Sequence, residues 1–219
     1  MDHFTYRDGV LHAEDVPLPA IAEAVGTPVY IYSRATLERH ARVFLEGLGG
    51  VAKKQVAFAV KSNPNLAVLR LLAREGFGAD CVSGGEVERA LAAGMPADSI
   101  VFSGVGKTAA EMRRGVEAGI GQFNLESEEE GRELAQIAAA AGRTAAAALR
   151  VNPDVDAGTH GKISTGKAEN KFGVPYDRAA GIYGRLANLP GLEMRGLAVH
   201  IGSQLSSIDP LEAAFARMG

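Results

Sequence analysis

Short apolar segments recur along this chain at nearly even spacing, and that rhythm limits its fold more than any other feature. QVAFAV starts at residue 55, GADCV at 78, SIVFS at 99, QFNL at 122 and AAALRV at 146, so successive starts lie 21 to 24 residues apart. Each interval has room for one helix and its two turns. Ser83-x-x-Glu86, Thr108-x-x-Glu111 and Ser127-x-x-Glu130 have the form of capping boxes, in which hydroxyl and carboxylate satisfy the free N–H groups of a helix start. Gly76, Gly94, Gly119 and Gly142 follow the last helical turns, where a left-handed C-cap favours glycine. Strand and helix alternating at so short a period give parallel βα units. A sixth strand, GLAVHIG from 196, comes after a polar loop and a helix predicted over 177–188.

Two wrappings suit such units, an open doubly wound sheet and a closed (β/α)8 barrel. Lys61, Asp80, Ser103, Asn124, Arg150 and His200 each sit at or just past the C-terminal end of an apolar segment. A barrel brings all six to one face, where barrel enzymes keep their chemistry. An open sheet spreads them along a line. No G-x-G-x-x-G follows a strand, so a dinucleotide site has no support. The expected fold class is therefore α/β, a TIM-type (β/α)8 barrel of which residues 33–219 supply about six units. Residues 1–32 stand apart: TYRDGVLH reads as a hairpin around Asp8-Gly9, followed by a short helix ending at Gly26 and a strand, VYIYS.

Composition narrows the function classes. With 47% hydrophobic and 22% charged residues, the 219-residue chain is that of a soluble globular protein able to bury a sizeable core. The net charge of −3 and the absence of a Lys/Arg-rich run give no attraction to nucleic acid or to anionic membranes. No run approaches a membrane span, and MDHFTYRDGV has neither a basic start nor an apolar stretch, so no secretory signal is expected. Cys81 is the only cysteine, which suits a cytoplasmic protein without disulfides. No metal site is expected.

In AFAVKSNPN the apolar segment runs directly into Lys61 and then into turn residues. Taken alone, Lys61 reads as a surface lysine closing a strand. At the top of a barrel, among apolar neighbours, an amine loses solvation and becomes a Schiff-base nucleophile toward a carbonyl compound. His200 and Arg150 have plain structural readings too, Arg150 as an ion-pair partner of Asp80 or Glu86. Glu86 already serves a capping box, and Cys81 is most simply a buried strand residue. The loop DAGTHGKISTGKAENKFGV, 156–174, is long, polar and glycine-studded; it reads either as a plain surface excursion or as a functional lid whose Lys162, Lys167 and Lys171 suit an anionic substrate.

FAVKSNPN, GADCVSGGE, RVNPDVDAGTH, ISTGKAENKFG and HIGSQ, in this order, resemble the diaminopimelate decarboxylase family. These are pyridoxal-phosphate enzymes of lysine biosynthesis with the alanine-racemase-like barrel, and the likeness runs over essentially the whole chain. The resemblance implies that Lys61 carries pyridoxal 5'-phosphate covalently and that His200 lies against the cofactor ring. It implies that Asp80, Glu86 and Arg150 form the hydrogen-bond network around them, and that Ser203 reaches the cofactor phosphate. Lys162, Ser164, Thr165, Gly166, Lys171, Phe172 and Gly173 belong to the lid over the substrate. The implied reaction is decarboxylation of meso-diaminopimelate to L-lysine and CO2, by a homodimer acting on a small amino acid.

The same resemblance implies parts that this sequence does not contain. They are a glycine-rich phosphate turn, a carboxylate for the pyridine nitrogen and a C-terminal β domain that residues 1–32 would join. The family's catalytic cysteine belongs there as well, so Cys81 is not given that role. Six units cannot close an eight-stranded barrel, and the expectation is a portion of a longer chain, inactive by itself. Related decarboxylases acting on ornithine, arginine or carboxynorspermidine share the lysine and histidine motifs. A non-enzymatic single-barrel pyridoxal-phosphate carrier and a cofactor-free Schiff-base aldolase are further alternatives. The carrier leaves residues 1–32, the 156–174 loop and HIGSQ unexplained.

Overall fold

The computed structural model describes residues 2–155, 172–203 and 205–218. The chain opens with a small antiparallel sheet. β1 (Phe4–Arg7) and β2 (Val10–Ala13) pair from Phe4↔Ala13 to Arg7↔Val10, and β3 (Val16–Pro17) adds to β2. Asp8 and Gly9, with φ of 49° and 77°, make the turn: both central residues of this tight hairpin need positive φ. α1 (Leu18–Val25) ends at Gly26, as expected. VYIYS forms no strand; Tyr30 and Tyr32 are exposed and the segment leads straight to Ser33, the N-cap of α2 (Arg34–Gly47). Alternating β-branched and aromatic residues were the signal, but no partner strand lies beside them among the described residues.

Glu14 fastens this N-terminal piece to α2. Its Oε1 accepts from Ser33 Oγ at 2.8 Å and from the Ala35 N–H at 2.9 Å, at the start of that helix. Those bonds, the Ala35 N–H foremost, hold its carboxyl below the usual range.

Six parallel strands then form one sheet: β4 (Ala57–Ala59), β5 (Gly78–Cys81), β6 (Ile100–Phe102), β7 (Gln122–Leu125), β8 (Ala145–Asn152) and, after the short β9 (Val174–Pro175) that pairs with β8, β10 (Leu192–Ala198). They lie side by side in their sequence order. Order without a reversal is that of a barrel and not of a doubly wound sheet, whose strand order turns back at a switch point. The sixth strand begins four residues before the apolar run GLAVHIG, because Leu192 and Met194 alternate with exposed Glu193 and Arg195 at a sheet edge.

Helices α3 (Leu66–Arg74), α4 (Gly84–Ala92), α5 (Ala109–Ala118), α6 (Glu128–Ala140) and α7 (Tyr176–Leu186) follow their strands and pack on one another in turn. α8 (Asp209–Met218) comes last. Strand residues facing the helices, among them Cys81, Ile100, Phe102, Phe123, Leu125 and Leu149, are fully or almost fully buried. Phe102 and Phe123 meet with ring centroids 6.1 Å apart; burying each contributes about 1.5–3 kcal/mol. The other face carries Asp80, Val101, Gln122, Asn124 and Arg150 in matching register, so the polar side chains all project to the side away from the helices.

The helix starts depart from the sequence reading in an informative way. Ser83, Thr108 and Ser127 all accept the N3 backbone N–H, but only Thr108 and Glu111 complete a capping box. Glu86 instead accepts the Val82 N–H at 2.8 Å, and Glu130 reaches Lys107. Gly76, Gly94, Gly119 and Gly142 have φ between 64° and 88°, the left-handed ends expected of them.

Candidate active site

β4 ends at Ala59 and the chain turns through a single 3-10 turn, Val60–Ser62, before α3. Asn65 caps α3 by accepting the Ala67 N–H at 2.8 Å, and Ser62 Oγ donates to the Ala59 carbonyl at 2.7 Å. Ser-Asn-Pro-Asn is therefore turn and cap, and it leaves Lys61 at the mouth of the sheet. Val60 beside it is buried, whereas Lys61 itself is exposed. The expected apolar surround is corrected here: Lys61 is exposed, and charged Asp80 and Arg150 share its cavity with apolar Val82, Phe172 and Val199.

Lys61, Asp80, Ser103, Asn124, Arg150 and His200 line one cavity of about 260 Å³ at the C-terminal ends of the strands, closed by Val82, Gly104, Phe172, Ala198 and Val199. All six strand-end residues singled out in the sequence are thus brought together. Asp80 accepts from Ser103 Oγ at 2.6 Å, and that oxygen accepts from Asn124 Nδ2 at 3.0 Å. Gln122 Nε2 in turn donates to Asn124 Oδ1 at 2.8 Å. The chain of donors leaves the carboxylate of Asp80 fixed across three adjacent strands. Ionic and hydrogen-bonding groups held this way can orient a bound molecule without rearranging.

Arg150 is buried, and its partner is neither Asp80 nor Glu86. Its Nη1 donates to Glu126 Oε1 at 2.8 Å, and the Phe172 ring lies 4.8 Å from the guanidinium carbon. His200 has its pKa lowered, first by the protein atoms crowding it and then by the positive charges of Arg150 and Lys61, so the ring is neutral at pH 7. Cys81 lies behind the strand on the helix side, and burial pushes its thiol up to about 12, which suits no nucleophile.

Glu86 stands one layer back, holding the backbone of Val82 in the cavity wall. Ser203 is exposed beyond β10 and is not among the cavity residues. Of the expected lid, Phe172 lines the cavity and Gly173 adjoins it; Lys162, Ser164, Thr165, Gly166 and Lys171 lie outside the described residues.

Two groups missed in the sequence reinforce the site. The Lys107 side chain is fully buried and its Nζ donates to the carbonyls of Gly104 and Asn124, both at 2.7 Å, and to Glu130 Oε1 at 2.6 Å. Burial pushes the Glu130 carboxyl up against the opposing pull of Lys107. Glu126, one residue past β7, is the other. It was hidden in the run ESEEE, which reads as the acidic first turn of a helix.

Residues 34–218 match the family model of the pyridoxal-dependent decarboxylases, pyridoxal binding domain. The chain belongs to that family. It is 55% identical to the diaminopimelate decarboxylase of Pseudomonas fluorescens over 100% of its own length and 52% of that protein. With the diaminopimelate decarboxylase of Zymomonas mobilis it shares 52% identity over 98% of this chain and 52% of the relative. Its structure is similar to that of diaminopimelate decarboxylase from Helicobacter pylori complexed with L-lysine, with a TM-score of 0.85 and 38% identity over 90% of this chain and 50% of that one. The chain spans about half the length of the curated relatives it matches. Among the described residues no helix is long and apolar enough to cross a membrane.

Proposed function

We propose that this chain is the pyridoxal-phosphate-binding portion of a diaminopimelate decarboxylase, which removes one carboxylate from meso-diaminopimelate to give L-lysine and CO2. The observation that carries the reading is the meeting of a primary amine, Lys61, with Asp80, Arg150 and His200 in one cavity at the strand ends. The donor set fits the cofactor. Lys61 offers the amine that condenses with an aldehyde, and the neutral His200 ring offers a flat face to another ring. When bound, pyridoxal phosphate supplies an electron sink for the pair left as CO2 departs.

The chain's own residues do the rest. Lys61 Nζ holds the cofactor and, once released, is placed to hold a proton. Asp80, fixed through Ser103 and Asn124, orients positive or hydrogen-bonding groups, and Arg150 adds a cation to the same cavity. Glu86 keeps the Val82 wall in place, and Ser203 is assigned to the cofactor phosphate. The segment from Lys162 to Gly173, with Ser164, Thr165, Gly166, Lys171 and Phe172, covers the substrate. Residues 33–219 form the barrel portion. Residues 1–32 join a β domain, which accords with the exposed Tyr6, Val10 and Val16 on a sheet too small to be stable alone. The protein works as a cytoplasmic homodimer.

Release of CO2 from amino acids by the complete gene product tests the reading. Turnover of meso-diaminopimelate faster than that of ornithine or arginine is expected. The reverse order would place the chain in another branch of the family.

A further inference from the structure

Glu126 is buried, with 4% of its side chain exposed, and among the described residues three donors reach its carboxylate. Oε1 accepts from Arg150 Nη1 at 2.8 Å and from the Gly104 N–H at 3.2 Å; Oε2 accepts from the Gly173 N–H at 2.9 Å. The three donors come from β8, from the turn after β6 and from the residues just before β9. Each belongs to the cavity wall or adjoins it. Arg150 and Gly104 line the cavity, and Gly173 comes directly after Phe172, whose ring lies against Arg150. Gly104 is held from both sides, since its carbonyl accepts from Lys107.

We propose that Glu126 is a positioning residue of this pocket, fixing the guanidinium of Arg150 and the backbone that carries Phe172 against it. Stability alone does not account for a carboxylate here, because a buried ion pair is often no better than apolar residues of the same volume. Geometry does. Only an acceptor with two oxygens satisfies donors arriving from three segments, and glutamine in either orientation turns its NH2 toward at least one of them. Gly173 is part of the same device. Its φ is 72°, and a Cβ there would stand 2.8 Å from the Arg150 carbonyl oxygen. The backbone can approach Arg150 closely enough to reach Glu126 only where a side chain is lacking.

The inference rests on the cofactor reading of the cavity, and its test separates the two. In the complete gene product, pyridoxal phosphate affinity is measured by cofactor absorbance for wild type, Glu126→Gln, Glu126→Asp and Gly173→Ala, alongside KM and kcat for meso-diaminopimelate. Glu126→Gln is expected to weaken cofactor or substrate binding about tenfold or more, the usual size for one lost charged hydrogen bond. Asp, which keeps the charge, is expected to restore part of it. Gly173→Ala, which keeps the carboxylate, is expected to weaken binding in the same direction and serves if Glu126→Gln does not fold. Wild-type affinity, KM and cofactor spectrum in either variant that folds would overturn the inference and leave the function standing. Wild-type protein that binds the cofactor but prefers another amino acid would overturn the function and leave Glu126 in its role.

Discussion

Lys107 Nζ lies 2.6 Å from Glu130 Oε1, and the pair joins the turn after β6 to the first turn of α6, next to Gly104 and Asn124 of the cavity lining. Glu130 gives up the backbone contact that its capping-box position offers, because a fully buried ammonium next to two carbonyls needs a counter-charge. Removing one partner strands the other in a dry site. Lys107→Met is expected to destabilise the protein by about 3–5 kcal/mol, read as a fall in the denaturant midpoint. A double change, Lys107→Met with Glu130→Gln, is expected to cost less than the sum of the two single changes.

Helices α6 and α7 are tied by Glu128, which accepts from Arg185 at 2.7 Å and from Arg132 at 2.6 Å. Hydrogen bonds from Arg185, then Arg132, hold its carboxyl at about 2. A lowered folded-state value means that the contribution is complete above the ordinary carboxylate range and is lost as pH falls toward 2. The melting temperature of wild type is therefore expected to drop more steeply than that of Glu128→Gln between about pH 4.5 and pH 2. The gap between them is expected to narrow in high salt, since the pair is at the surface. Parallel curves in low salt would contradict this.

Gly121 precedes β7 at a point where the backbone touches the Asp98 carbonyl, and an added Cβ would run into that oxygen. Gly121→Ala is expected to destabilise by about 1–3 kcal/mol, since carbonyl and strand must both move. Gly85→Ala, whose Cβ meets nothing closer than Ser83 Oγ at 4.0 Å, is expected to be near neutral or slightly stabilising in its helix. Urea unfolding of both variants measures the difference.

His200→Ala is expected to lower turnover of the complete protein about 10²-fold while leaving the cofactor attached. In the proposed role its neutral ring constrains position and carries no reacting bond. Single-turnover rates with bound-cofactor absorbance check both halves of the statement.

Much of this was legible in the sequence because βα units leave a strong signature. The spacing of apolar runs, the Ser and Thr caps and the left-handed glycines fixed the five units from β4 to β8, and the strand ends named the cavity residues. What failed was the choice of partner. Glu86 and Glu130 have the right spacing to cap their own helices, yet Glu86 takes the N–H one residue before its cap, and Glu130 is drawn to Lys107 from a loop that sequence order does not place. For Arg150 the sequence offers Asp80 or Glu86 as partner, and only the fold shows that Glu126 is the acid within reach. VYIYS alternates like a strand but meets no neighbour among the described residues. Lys61 comes after an apolar run, yet the 3-10 turn after β4 carries it into solvent.

Everything proposed for the cavity depends on Lys61 carrying the cofactor, and chemical trapping tests this most directly. The complete gene product is loaded with pyridoxal phosphate, reduced with borohydride, digested and mapped by mass spectrometry. The pyridoxyl group is expected on the peptide containing Lys61. A label on Lys53, Lys54 or Lys107 instead, or no label on a protein that decarboxylates diaminopimelate, would contradict it.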